Sequence, residues 1–375
     1  MPVPPTLSSA TRASDNARGA RRPIAHGGSL RNALRLTIGA LVSLACLYFA
    51  TRGTDWATVG ALLAGARPLF VLLLVLACAA VLWVRMLRWR ILLRPLGDVP
   101  RYPALSATVI GFGAGAVLPF RLGELVRPAL IARKTGMKMS AALSSVVLER
   151  LFDTLIVLVC FLVVSFIQPV PGGMRRGALV VAIGLVVGLV LLRAGFRCMA
   201  RGEHVIARLT RPLPARFGAV VQDLSRSFLT GLGALADTRT VLVVLMYSVY
   251  VWGAIALTFL FGLLALAIQV PPVTGALTIM VTVAAFVFLP QAPGFVGTWQ
   301  AACVLALHDF YGVPKDLAVG YSLLTWIVSM GVNVGLAGLF LAREDLSLSQ
   351  LVRAAGEVET AAAEEAPAIG REHRR

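Results

Sequence analysis

Charge is what this 375-residue chain has least of, and acidic charge least of all. Asp and Glu total 18 against 35 Lys and Arg, and the four types together make up only 14% of the residues. Lysine is nearly absent, with Lys134, Lys138 and Lys315 set against 32 arginines. Apolar residues reach 58% and mean hydropathy is +0.82. A soluble domain of this length has no use for so much apolar surface, whereas runs of about 20 apolar residues are what a bilayer core demands. Cysteine is equally uninformative as a framework. Cys46, Cys78, Cys160, Cys198 and Cys303 are scattered without CxxC spacing, which excludes a disulfide scaffold or a thiolate zinc site. The four histidines (His26, His204, His308, His373) have no ligand spacing, so no metal site and no cofactor are expected. A phosphate-cradling glycine loop with Lys, HExxH and GxSxG are all missing, and GFGAGA lacks a strand–helix context. The net charge of +17 would suggest nucleic acid in a soluble protein. Here the arginines lie between apolar runs, so membrane topology and anionic lipid headgroups explain them better, and no nucleic-acid partner is expected.

The apolar runs and their flanking arginines give a topology. Residues 1–33, basic and rich in Pro, Ser, Gly and Ala, read as a disordered cytoplasmic leader. Spans are expected at 34–50, 68–84, 140–167, 177–192, 240–268 and 317–341. Arg85, Arg88, Arg90, Arg94 and Arg101 follow the second span and place 85–101 in the cytoplasm. Residues 103–118 have strongly positive flanks on both sides, so a full crossing would put one cluster outside. A re-entrant hairpin resolves this: 103–118 enters, the chain turns at Pro119, and 123–132 returns. Residues 273–289 end in FLPQAPGFVGTWQ and repeat the pattern of an apolar run, Leu-Pro and a glycine-containing break, with 299–308 as the returning arm.

The expected fold is therefore an all-α polytopic membrane bundle of about six spans and two re-entrant hairpins in an inverted repeat. Eight full spans are the alternative. The halves cover about 34–168 and 177–343, with residues 196–237 an amphipathic segment on the cytoplasmic surface and 344–375 a disordered tail. Both termini are expected in the cytoplasm, and the Arg-, Ala- and Gly-heavy composition suits a bacterial inner membrane.

Two stretches carry costly features. LPFRLGELVRPALIARKTGMKMSAALSSVVLERLFD (118–153) places Arg121, Glu124 and Arg127 at the first hairpin's break and Glu149, Arg150 and Asp153 inside the next apolar helix. Ionisable groups at membrane depth are expensive and usually functional. Ser145, Glu149 and Asp153 recur every four residues and share one helical face. Arg121, Glu124 and Arg127, three apart, would stack along one side of a helix. One reading is that the carboxylates neutralise the arginines and pin the hairpin to the helix. The other is that the guanidinium forks grip a phosphate. Pairing can hold the arginines until an anionic headgroup competes, so the two are compatible, while a cluster serving topology alone is a third possibility. The second break has no charge until Asp309. Pro290, Pro293, Gly294 and Gly297 there, like Pro119 and Gly123 in the first, allow the backbone to break as a hinge, or simply form a tight turn.

On PxRLGExxR (119–127) and ERxxD (149–153), with FLPQAPGFVGTWQAACVLALHDFYGVPKDLAVGYSLL, the chain resembles the bacterial membrane family that includes the transmembrane region of lysylphosphatidylglycerol synthases and stand-alone flippase-like proteins. The resemblance covers roughly residues 35–342. It implies a module that moves lipid across a bilayer. In two-part relatives the lipid is an aminoacylated phospholipid made by a soluble synthase domain. No such domain follows Arg343 here, so the chain is not expected to aminoacylate lipid itself. The family's charged motif carries over to Arg121, Glu124, Arg127, Glu149, Arg150 and Asp153. In one branch the second motif ends in Glu and is followed by a later Arg, where this chain has Gln300 and Trp326. The resulting expectation is transport of an anionic or phosphate-bearing amphiphile, with a membrane lipid as the substrate and a separate lipid-modifying enzyme as a possible partner. An enzyme acting on a polyprenyl- or phospholipid-linked substrate is the rival. Oligomeric state has no signature in the sequence.

Overall fold

The computed structural model describes residues 27–118, 123–167, 172–197, 232–235, 237–287 and 292–346. Pro119, Arg121, Pro290, nearly all of the 196–237 segment, and most of the leader and tail therefore lie outside the described residues. Among the described residues there are eleven α-helices: α1 (Gly27–Thr51), α2 (Trp56–Ala64), α3 (Pro68–Leu93), α4 (Arg101–Val117), α5 (Gly123–Thr135), α6 (Met139–Ile167), α7 (Gly172–Arg197), α8 (Thr238–Ala265), α9 (Pro272–Phe286), α10 (Thr298–Val304) and α11 (Lys315–Arg343). A π-helical turn over Leu305–Asp309 continues α10. Among the described residues there is no strand.

Among the described residues four helices, α3, α6, α8 and α11, are long and apolar enough to cross a bilayer. Their surface pattern is inverted relative to a soluble bundle. Leu69, Leu72, Leu76 and Trp83 form an exposed apolar face on α3, and Leu242, Met246, Val249 and Tyr250 do so on α8. Arg88, Arg127, Glu149, Asp153 and Ser248 are buried instead. Apolar outside and polar inside is the distribution lipid imposes, because hydrocarbon solvates Leu as well as a protein core does. The helix ends at the water side follow ordinary capping rules. Asp237 accepts from the backbone N–H groups of Arg239 and Thr240, and Asp55 accepts from that of Ala57. Hydrogen bonds from the Thr240 side chain and then the backbone hold the Asp237 carboxyl below its usual range, and Thr58 and Ala57 do the same for Asp55. The connection expected between the first two spans contains α2, a two-turn helix that Asp55 starts.

The helices α4 and α5 form an antiparallel hairpin. Gly115 lies against Gly123, Gly111 against Arg127, and Ser106 accepts from Lys134. At about 1.5 Å per residue, the 17 residues of α4 and 13 of α5 reach about 26 and 20 Å, short of the roughly 30 Å hydrocarbon core. The 15 residues of α9 are similarly short, and it pairs with α10 and the π turn, where Thr278 meets Tyr311 at 3.1 Å. The returning arms end in left-handed Gly136 and Gly312.

Packing is organised by exchange of two four-helix groups, α3–α6 and α8–α11. The contacts α3–α4, α4–α5, α5–α6 and α3–α6 are matched by α8–α9, α9–α10, α10–α11 and α8–α11. Between the groups, α4–α11 is matched by α9–α6 and α3–α11 by α8–α6, while α3–α8 maps onto itself. The α3–α8 pair is antiparallel: Arg67 donates to the carbonyl of Ala265 at one end, and Arg88 to Ser248 further along. The groups are therefore inverted copies, as the sequence leads one to expect. The outer helices break the correspondence, since α1 packs on α10 while α7 packs on α6.

One correction concerns α3. Its second-span boundary, expected at residue 84, lies at Leu93, so Arg85, Arg88 and Arg90 are inside the helix rather than in a cytoplasmic loop. Arg88 is fully buried.

The hairpin depends on missing side chains. A Cβ on Gly123 would fall on the Gly115 backbone and the Gly111 carbonyl, neither of which can yield. Gly123→Ala is expected to cost roughly 1–3 kcal/mol. Gly253→Ala on α8, with nothing within contact distance, is expected to be neutral or slightly stabilising. Thermal unfolding of the detergent-solubilised protein checks both, and equal melting temperatures for the two variants contradict the hairpin packing.

Candidate functional site

The second half of α3 and the first half of α6 bring the buried charges together. The four-residue spacing on α6 does what the sequence predicts: Ser145, Glu149 and Asp153 all face inward. Ser145 accepts from Trp89 Nε1 at 2.9 Å, one helical turn from the ion pairs. Arg88 then bridges both carboxylates. Its Nη1 donates to Asp153 Oδ1 at 2.6 Å, and its Nη2 lies 3.2 Å from Asp153 Oδ2 and 3.1 Å from Glu149 Oε1. Nη1 also donates to Ser248 Oγ on α8 at 3.0 Å.

Arg127, on α5, meets the other side of Glu149 as a fork. Its Nη1 and Nη2 donate to Oε1 and Oε2 at 3.2 and 3.1 Å. Its guanidinium lies 4.4 Å from the ring centroid of Trp89 and 4.8 Å from that of Phe112, so cation–π contact replaces the lost hydration on both faces. Gly111 makes room for it, since a Cβ there would overlap Arg127 Cγ. The ion pair thus fixes the hairpin to α6, as one of the two sequence readings expects.

Arg150 is different. Its side chain is 37% exposed and shared among three carboxylates: Glu149 and Asp153 at 3.2 Å each, and Glu124 at 3.8 Å. Glu124 is 38% exposed and among the described residues has no closer cation. Asp153 also accepts from Trp252 Nε1 on α8 at 3.0 Å. Of the six residues expected from the charged motifs, five are brought together, and Arg121 lies outside the described residues.

These groups border a cavity of about 500 Å³, within the range of small-molecule sites. Arg85, Glu124, Arg127, Arg150 and Asp153 line it, and all five belong to the first helix group. The second group contributes only neutral side chains, among them Trp252, Phe259, Met280, Val287, Phe295, Trp299 and Asn333. Gly123, at the start of α5, lines it too.

The second hairpin break is built without charge. Gly294 and Gly297 take left-handed backbone, φ 74° and 84°. Pro293 opens a single 3₁₀ turn, and Gly297 presses so closely on the Ser43 carbonyl of α1 that no side chain fits. Ser43 Oγ accepts from Ala292 N at 2.7 Å. Gln300 turns back to accept from Gly297 N at 2.7 Å, a cap rather than a cavity ligand. On α11, Thr325, Trp326 and Ser329 stand as far from Lys315 as Glu149, Arg150 and Asp153 stand from Met139. Their bonds are neutral echoes of the first group. Trp299 donates to Thr325 at 3.3 Å where Arg127 meets Glu149, and Ser329 meets Cys78 of α3 where Asp153 meets Trp252 of α8. Trp326 Nε1 donates to the Gly294 carbonyl at 2.7 Å.

Sequence reading missed Arg85 and Arg88 as parts of this site because they head a run of basic residues that looks like a topology signal. A clue was present. The apolar pattern resumes on both sides of Arg88 and continues through Ile91, Leu92 and Leu93, all buried.

An all-α helical bundle, apolar outside and ion-paired within, around a cavity with one charged wall, defines a multi-pass membrane protein. The chain belongs to the family of lysylphosphatidylglycerol synthase transmembrane regions, whose profile matches residues 36–337. It is also similar to the glycosyltransferase AglD of Haloferax volcanii, 27% identical over 361 aligned residues. That alignment covers 86% of this chain and 57% of the archaeal protein, so the chain spans little more than half the length of that relative.

Removing one member of the buried network leaves the rest uncompensated. Arg88→Met is expected to destabilise by about 3–5 kcal/mol, and Arg88→Met/Asp153→Leu to recover at least half of that. Thermal unfolding of the three proteins in detergent measures the difference. A double variant as unstable as the single one contradicts the pairing.

Proposed function

We propose that this protein is a lipid flippase or lipid-transport protein that accepts an anionic or phosphate-bearing amphiphile. The observation that carries the reading is the cavity itself, with guanidinium groups on one wall and aromatic and aliphatic side chains on the other. A phosphate head with an apolar tail is the ligand such walls complement. Arg150, partly exposed and held by three carboxylates, is the cation free to exchange partners, and Arg121, outside the described residues, is proposed as a second headgroup-binding residue. Glu124, Glu149 and Asp153 orient the arginines, while Arg88 and Arg127 stay locked.

In the proposed membrane arrangement α1, α3, α6, α7, α8 and α11 span the inner membrane, with both termini in the cytoplasm. The hairpins α4–α5 and α9–α10 re-enter from opposite sides. Their short arms, the antiparallel α3–α8 pair and the approach of Gly294 to the Ala116 carbonyl support a meeting of the two tips near the midplane. The glycines and prolines of the breaks, Gly123, Pro293, Gly294 and Gly297 with Pro119 and Pro290, act as hinges. Charge concentrated on the hairpin that enters from the cytoplasm favours headgroup capture from the inner leaflet.

A second reading is favoured by the glycosyltransferase name of the archaeal relative: action on a lipid-linked glycan, directly or beside a separate lipid-modifying enzyme. Direct chemistry meets an obstacle, because guanidinium groups occupy both Glu149 and Asp153. Glu124, with its single partner at 3.8 Å, is the carboxylate left for acid–base work. Product formation by the purified protein that is abolished in Glu124→Gln would support the enzyme.

Reconstitution in liposomes with labelled lipids tests transport. Wild type is expected to move at least one anionic lipid about tenfold or more faster than Arg150→Ala, from the loss of charge-assisted bonds. Transport no faster than Arg150→Ala across all lipid classes overturns the proposal.

A further inference from the structure

We infer that the headgroup this site selects is a phosphodiester whose single negative charge is not compensated by any cationic substituent. Such heads occur on anionic phosphoglycerides and on sugar-phosphate prenols, and they exclude choline-type and aminoacylated lipids. The inference rests on reading the cavity as a lipid-headgroup site.

Charge balance carries the argument. Among the described residues the cluster holds four guanidiniums (Arg85, Arg88, Arg127, Arg150) and three carboxylates (Glu124, Glu149, Asp153). The carboxylates are all engaged by Arg88, Arg127 and Arg150. Among the described residues one positive charge is left over, and its owner is identifiable. Arg85 lines the cavity and makes no ion pair or hydrogen bond among the described residues; its recorded contact is the Phe112 ring, 4.5 Å from the guanidinium carbon. The buried Nε atoms of Arg127 and Arg150 also lack acceptors. A guanidinium without an ion pair on a cavity wall attracts an anion, and a monoanionic phosphodiester balances the excess charge with oxygens to spare for the open N–H groups.

The same count rejects a cationic substituent. A head that carries an ammonium beside its phosphate brings no net negative charge, so Arg85 stays uncompensated, and the two buried carboxylates, Glu149 and Asp153, are already held by guanidinium groups. The opposite wall supplies Thr325, Trp326 and Ser329 at the positions corresponding to Glu149, Arg150 and Asp153, and Gln300 caps the backbone instead of facing a ligand. With neutral side chains there, an added positive charge goes unanswered.

Two substitutions test this without dismantling the network. Arg85→Gln removes a charge that makes no ion pair or hydrogen bond to a carboxylate among the described residues. Asn333→Asp adds a carboxylate to the cavity lining with almost no change in shape. Native mass spectrometry of the detergent-solubilised full chain measures competition among phosphatidylglycerol, a glycosyl-phosphoprenol, phosphatidylcholine and lysyl-phosphatidylglycerol. Wild type is expected to bind one or both of the first two about tenfold or more tighter than the last two. Arg85→Gln loses that preference, Arg85→Lys keeps most of it, and Asn333→Asp shifts binding toward the zwitterionic and cationic lipids. The stronger of the two anionic arms identifies the tail. Equal or tighter wild-type binding of phosphatidylcholine or lysyl-phosphatidylglycerol overturns the inference, as does an unchanged preference in Arg85→Gln. If the preference holds but liposomes show no lipid movement, the transport reading falls and the headgroup assignment stands. If lipid moves without regard to headgroup charge or Arg85, the reverse is true.

Discussion

Glu149 is the residue through which this structure holds its charge inside an apolar body. Arg88 from α3, Arg127 from α5 and Arg150 from the next position on α6 converge on its two oxygens. Arg88, Arg127 and Glu149 are buried, and removing any one of them leaves a costly uncompensated charge on the others. The geometry of three helices follows. α3 and α6 must cross where Arg88 reaches Glu149, and α5 must return along α4 far enough to bring Arg127 down between Trp89 and Phe112. The absent side chains of Gly111 and Gly123 are the steric condition for that return.

The two helix groups answer the same architectural problem with different chemistry. In one, ions fix the hairpin to its neighbouring helix; in the other, indole and hydroxyl groups do so, through Trp299 with Thr325 and Trp326 with the Gly294 carbonyl. The neutral version also leans on α1, whose Ser43 braces the break. Indole N–H bonds suit a dry interface because only one polar atom per side chain needs satisfying. The neutral group can therefore be stable without supplying any charge to the cavity, which is why the cavity has a charged wall and a neutral one.

Much of this was legible in the sequence. The long apolar runs give the helices of the bundle, since bilayer thickness and backbone satisfaction leave few alternatives, although α3 runs on to Leu93 where an end at residue 84 is expected. The inward face of α6 followed from a four-residue spacing. Arg85 and Arg88 did not follow, because an arginine near the end of an apolar run has two physical meanings, a topology signal or a buried counter-ion. Only the position of the partner carboxylates, on a helix 60 residues away in the chain, decides between them. The helix α2 was hidden for a different reason: nine residues are too few for periodicity to register, and its start depends on the capping geometry of Asp55. The bracing of the second break by Ser43 was equally invisible, being a contact between distant segments with no motif to mark it.

The antiparallel seam between α3 and α8 belongs to both groups at once, since the exchange that relates them maps this pair onto itself. A side chain changed there is felt by each half. Even so, the two helices of the seam differ in charge: Arg85 and Arg88 stand on α3, while α8 from Val241 onward carries none. Away from the seam, Glu149, Arg150 and Asp153 on α6 are answered by Thr325, Trp326 and Ser329 on α11. In a fold of this kind, one frame holds two chemically different walls, because helix packing constrains shape more tightly than it constrains charge.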